Sequence, residues 1–121
     1  MSLLALSGYS QSKVSSDWKL IHRADTESYY FNTRSFKRNN SIVRTWIKII
    51  YNSPRDGAVE SQALTEFDCQ EDLYNIQIAI LYDSDLKVIN RDESKANEYR
   101  PVPPDTIGSK ILDRVCQFES Y

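Results

Sequence analysis

Few side chains in this sequence that can carry a proton, a metal or a covalent bond fall in a usable pattern. His22 is the only histidine, and its neighbours Ile21 and Arg23 supply no nucleophile motif, so it reads as an ordinary strand-face residue. Ser7 and Ser109 lie beside glycines but outside the nucleophile-elbow pattern, and Gly57 and Gly108 build no phosphate-cradling loop. The carboxylates come in pairs: Glu66 with Asp68, Asp83 with Asp85, Asp92 with Glu93. Asp83-Ser84-Asp85 has the start of a calcium loop without its glycine or its distal bidentate glutamate, and a solvated turn is the expected outcome. Cys69 and Cys116, with one histidine, are too few for the four ligands of a structural zinc site. They are either two buried thiols of a cytosolic protein or one disulfide of an exported one. No catalytic residue, cofactor or metal is expected, and the chain reads as a non-enzyme.

The groups that point to recognition are aromatic and cationic. Arg34, Lys37 and Arg38 form a small basic cluster beside Phe36 and Tyr30. Of the eight tyrosines, Tyr29, Tyr30, Tyr51, Tyr74, Tyr82 and Tyr99 are too many to bury in one small core, and tyrosine and arginine are enriched at protein interfaces. The candidate protein-binding residues are Tyr30, Arg44, Trp46, Lys48, Lys37 and Arg38. A net charge of −2 argues against a nucleic-acid partner, which demands clustered, unopposed cations.

These residues need elements to hold them. A chain of 121 residues has room for one domain with a single core. Residues 1–16 read as a disordered leader or the remnant of a signal peptide, since Met1–Ser10 holds a short apolar patch followed by small residues without a cationic start. Residues 17–121 are then the folded domain. No apolar run approaches the roughly 18 to 20 residues that span a bilayer as a helix.

Ile42–Tyr51 is the longest run rich in β-branched and aromatic residues, and it predicts a central strand. Because side chains alternate along a strand, Val43, Thr45, Ile47, Ile49 and Tyr51 share one face, while Arg44, Trp46 and Lys48 share the other. Further strands are expected over Asp17–Arg23, Ser28–Asn32, Ala63–Cys69, Leu73–Tyr82 and Leu86–Arg91. In Leu73–Tyr82 the period-two pattern places Tyr74, Ile76, Ile78, Ile80 and Tyr82 together, opposite Asn75 and Gln77. Asn52–Gly57 is the strongest turn signal and is expected as an exposed, mobile loop. Tyr99–Pro104 must be extended because each residue before a proline is pushed out of the helical region. Ile107, Ile111, Leu112 and Val115 then recur at helical spacing, giving an amphipathic helix over Thr106–Gln117.

The expected fold is α+β: an antiparallel sheet of five or six strands with one C-terminal helix packed on one face. The helix is expected to lie on Ile76, Ile78 and Ile80 with Val43, Ile47 and Ile49. That leaves Arg44, Trp46, Lys48, Asn75, Gln77 and Tyr30 on an uncovered face, unless a loop such as Ser53–Ser61 covers Trp46.

Trp18, the strand from Val43-Arg-Thr-Trp46 to Tyr51-Asn52, Glu66-Phe-Asp-Cys69, Pro101-Val-Pro-Pro104 and the closing Arg114-Val-Cys116 resemble, in order and spacing, the surface-adhesin protein E family of Gram-negative bacteria. The resemblance covers Asp17 to Gln117, with Tyr99 at the aromatic position ahead of the proline segment. It implies an exported protein located in the periplasm, on the outer membrane surface or secreted, with a disulfide between Cys69 and Cys116. It further implies a non-enzymatic adhesion module that binds host extracellular-matrix or serum proteins and has a capacity to homodimerise. The alternative function is a periplasmic, sensor-like ligand-binding domain, which requires an apolar pocket of several hundred cubic ångströms, about the usual size of a ligand site, between helix and sheet.

Overall fold

The computed structural model describes residues 17–93 and 98–119. The expected leader, residues 1–16, and part of the polar loop after Asp92 lie outside them. Eight strands precede one helix: β1 (Trp18–Arg23), β2 (Glu27–Asn32), β3 (Lys37–Asn39), β4 (Ile42–Arg55), β5 (Ala58–Asp68), β6 (Leu73–Tyr82), β7 (Val88–Glu93), β8 (Arg100–Pro101) and α1 (Ile107–Gln117). All pair antiparallel in the order β1-β2-β4-β5-β6-β7. The short strands fill gaps: β3 joins β4 beside β2, and β8 joins β6 beside β7. The basic connection after Asn32 thus contains a strand, β3, that carries no apolar residue and so no period to read.

Strand β4 is the middle of the sheet, and its 14 residues outrun the stretch expected from β-branched content. The Asn52–Gly57 loop is instead a continuation of the β4–β5 hairpin, with Arg55 paired to Ala58. Asp56 and Gly57 form the tip, at φ 51° and 86°, and between the Ile50 pair with Glu60 and the Arg55 pair with Ala58 the register shifts, with residues 51–54 of β4 standing against Val59 alone. Two successive positive φ values make the tight hairpin turn whose twist matches that of the flanking strands, and Asp-Gly is among the residue pairs that accept it. Strand β5 accordingly starts at Ala58, five positions before the expected Ala63.

Helix α1 opens on a reciprocal cap. The Thr106 hydroxyl accepts from the Ser109 N–H, and the Ser109 hydroxyl accepts from the Thr106 N–H, both at 3.1 Å, so two donors that a helix start leaves unsatisfied are paired. Leu112 and Val115 are its buried residues. They enter a core made by Phe31, Phe36, Val43, Ile47, Phe67 and Val102. Phe118 meets Phe31 and Phe36 edge to face, with centroids 5.1 and 5.0 Å apart. Cys69, one residue beyond β5, is joined to Cys116 in the last turn of α1, with Cα atoms 5.8 Å apart. The disulfide therefore clamps the helix end to the middle of the sheet.

The helix does not lie where the period-two reading of β6 placed it. Thr65 pairs with Ile76 but Leu64 pairs with Ile78, so Gln77 is an extra residue opposite a single bond of the ladder, a β-bulge. One inserted residue reverses the parity of everything beyond it. Tyr74 and Ile76 face the helix side, whereas Ile78, Ile80 and Tyr82 face the other. A second bulge in β1, between Leu20 and His22, frees Ile21 to pack on the core. Helix α1 is received by Phe31, Val43, Ile47 and Phe67 in the β2–β4–β5 part of the sheet, and Ile76 remains 41% exposed.

Candidate protein-binding face

The strand registers put the face away from the helix into rows that cross the sheet. One row runs Tyr30, Lys48, Gln62, Ile80, Arg91; the next runs Trp46, Leu64, Ile78, Glu93; a third runs Lys37, Arg44, Glu66, Asn75. The face thus grades from an aromatic and aliphatic middle to a polar, cationic end. Ser53–Ser61 is not a separate loop but the end of the β4–β5 hairpin.

Of the six candidate binding residues, Tyr30, Arg44, Trp46 and Lys48 share this face, and Lys37 joins them as the cross-strand partner of Arg44. Arg38 is placed elsewhere. It pairs with Val43, and its guanidinium donates to the carbonyls of Cys116 at 2.7 Å and Phe118 at 3.2 Å. There it satisfies acceptors at the helix end and complements the negative end of the dipole. Asn75 is on the face and buried, while Gln77 is the bulge residue. Sequence reasoning missed Leu64, Ile78, Ile80 and Tyr82. Leu64 was legible from its alternation with Thr65 and Phe67; the other three were hidden by the bulge.

Lys48 is not a free cation. Its ammonium sits 4.1 Å from the Trp18 ring centroid and 3.9 Å from Glu60, with both charged side chains largely buried, and Glu60 also accepts from the Gln62 amide at 2.7 Å. Ion pairing and cation–π attraction hold Lys48 in place beside Tyr30. Lys37 and Arg44 differ: among the described residues neither has an ion-pair partner within 4 Å. They border a cleft of about 530 Å³ with Arg38, Asn39, Ile42, Glu66 and Tyr99.

Two tyrosines are locked to carboxylates. The Tyr99 hydroxyl donates to Glu66 at 2.7 Å, and this bond, reinforced by burial, pushes its pKa up to about 12. At the far edge Tyr29 donates to Glu27, which also takes Arg55 at 2.9 Å. Burial, then the bond to Glu27, raises the Tyr29 pKa, and the Tyr29 hydroxyl holds the Glu27 carboxyl below its ordinary range. A phenol held neutral far above pH 7 is a structural donor, since a general acid works best with a pKa near the operating pH. The Asp83 carboxylate is likewise occupied by its own turn, accepting from the Asp85 and Lys87 N–H groups at 2.9 Å.

The helix side carries a separate concavity of about 330 Å³ between α1 and the sheet, lined by residues including Ile49, Ala63, Ile76, Val102, Pro103 and Ile111.

A model of the surface-adhesin protein E family matches residues 18–117, from the first strand to the last residue of the helix. The chain belongs to this family. No curated protein sequence matches it. Among solved structures it resembles protein E of Haemophilus influenzae in crystal form II, at 17% identity and a TM-score of 0.51, over 73% of this chain and 79% of that one. Protein E from non-typeable Haemophilus influenzae is similar at the same identity and TM-score, over 80% of this chain and 74% of that one. At this identity the likeness is one of fold: an antiparallel sheet closed by a C-terminal helix. As a member of this family the protein is a surface adhesin by class, and no helix of the described residues is long and apolar enough to cross a membrane.

Proposed function

We propose that this adhesin-E protein is an exported, non-enzymatic adhesion module that binds host extracellular-matrix or serum proteins through the sheet face carrying Tyr30, Trp46, Arg44 and Lys37. The observation that supports this most is the row structure. A half-buried tryptophan lies among aliphatic neighbours Leu64 and Ile78, with cations on the rows to either side. Large aromatic and arginine side chains at the centre of a patch dominate binding energies at protein interfaces. Capture of purified matrix and serum proteins on immobilised oxidised protein tests the reading. Trp46→Ala should cost about 2 kcal/mol or more of binding, with the circular-dichroism spectrum of the folded protein kept and melting lowered only by the lost half-buried packing. Equal capture by wild type and by a folded Trp46→Ala, Arg44→Glu double variant would remove this face from the function. Self-association through the same face is the competing use, and sedimentation velocity on the two proteins separates them.

The concavity beside α1 favours a second reading, a periplasmic domain that takes an apolar ligand. Its volume of about 330 Å³ lies at the lower end of the range of ligand sites. Its lining has no charged group to orient a polar ligand. Binding of an apolar dye that is lost in Ala63→Trp would support it.

A further inference from the structure

The cleft at the cationic end of the face carries an unusual arrangement. Lys37 and Arg44 are directly opposite on neighbouring strands, a placement in which like charges repel. A natural counter-ion is Glu66, cross-strand from Arg44 on its other side, yet no ion pair within 4 Å joins them. One oxygen of the Glu66 carboxylate, Oε1, accepts from the Tyr99 hydroxyl at 2.7 Å, which holds the side chain on the Tyr99 side. Two adjacent cations are left without a direct ion pair among the described residues of a protein whose net charge is −2, beside a cleft of about 530 Å³.

Resting on the adhesion reading, we infer that Lys37 and Arg44 form a carboxylate-recognition site that takes an acidic segment of the partner polypeptide, and that Tyr99 keeps Glu66 from competing for it. The choice of occupant follows from charge. The cleft offers Lys37 and Arg44, while Arg38 on its border is committed to the Cys116 and Phe118 carbonyls. Glu66 lies within it, and Asp68 is next on the same face, opposite Ile42. A sulfated polysaccharide with a charge on every sugar would meet those carboxylates along its length. A peptide presenting one or two carboxylates between neutral residues would not, and the Arg44 guanidinium can grip a carboxylate through two parallel bonds.

The probe is a fluorescein-labelled peptide with two aspartates between serines and glycines, read by anisotropy at low and physiological salt, beside its asparagine counterpart and a sulfated oligosaccharide. The acidic peptide should bind more tightly than the amide and weaken with salt. Lys37→Gln and Arg44→Gln should each weaken it by about two- to fivefold, the range for exposed ion pairs. Glu66→Gln should tighten it, and Tyr99→Phe should weaken it by freeing Glu66 to pair with Arg44. Lys110→Gln, on the helix, should leave it unchanged. Equal binding of the aspartate and asparagine peptides, preference for the oligosaccharide, or no gain in Glu66→Gln would overturn the assignment. Charge-dependent peptide binding without capture of any host protein would sink the adhesion reading and leave the site standing. Host-protein capture that depends on Trp46 but not on Lys37 or Arg44 would do the reverse.

Discussion

Ile76 and Ile78 are two positions apart on one strand, yet they face opposite sides of the sheet, because Thr65 pairs with the first and Leu64 with the second. The extra residue between them divides the apolar content of β6. Its beginning serves the helix side, and its end supplies Ile80, 6% exposed, to the face that also carries Trp46 and Tyr30.

Cavity costs in β6 should follow that division. Ile80→Ala removes a buried side chain and is expected to lower stability by about 2 to 5 kcal/mol, whereas Ile76→Ala, 41% exposed, should cost under about 1 kcal/mol. Deleting Gln77 removes the extra residue and leaves Ile76 opposite Thr65 and Ile78 opposite Leu64, each on its present face, so it should cost less than Ile80→Ala. Urea unfolding of the three variants measures all of this; similar losses for Ile76→Ala and Ile80→Ala would mean the bulge is misplaced.

The Cys69–Cys116 bond closes a separation of 47 residues. Its removal in Cys69→Ser, Cys116→Ser should lower stability by about 2 to 4 kcal/mol, chiefly by freeing the unfolded chain. Intact mass should rise by about two units on reduction, two thiols taking up one hydrogen each, and a mass indifferent to reductant would show free thiols.

Arg38 ties β3 to the helix end through two carbonyls. Arg38→Ala should destabilise by about 1 to 2 kcal/mol, and Arg38→Lys should restore only part of this because an ammonium lacks the planar fork. Amide exchange localises the effect: faster exchange is expected in the last turn of α1, and an unchanged last turn would count against the cap.

Alkaline stability should depend on Tyr99. Its folded pKa, about 12, is above the ordinary value of 10.0, so its contribution is complete below about pH 10 and is lost as pH rises toward 12. Tyr99→Phe should flatten that part of the stability profile, with Tyr29 supplying what remains. Glu27 acts at the other end. Its folded pKa is lowered from 4.5, so its contribution is complete above that value and disappears as pH falls through the depressed one. Denaturation midpoints between pH 9 and 12 for wild type and Tyr99→Phe decide the first part; parallel curves would reject it.

Local chemistry wrote much of this fold into the chain. Ile42–Tyr51 reads as a buried-faced strand, the Ile107, Ile111, Leu112, Val115 spacing as an amphipathic helix, and the alternation in β4 placed Arg44, Trp46 and Lys48 together. Each is a short-range property, settled by neighbours within a turn or a pleat. The register of β6 is not. Whether Gln77 is paired or extruded depends on what β5 presents across the ladder, and the period-two spacing of Tyr74, Ile76, Ile78, Ile80 and Tyr82 along the chain is identical in both cases. The fate of the cations was equally non-local. Lys48 is paired with Glu60 and lies against the Trp18 ring, Arg38 is taken by carbonyls 78 and 80 positions away, and Glu66 accepts from Tyr99, 33 positions away, while Lys37 and Arg44 have no ion pair among the described residues. A charge acquires its role from its tertiary neighbours, and pairing between distant strands is what chooses those neighbours.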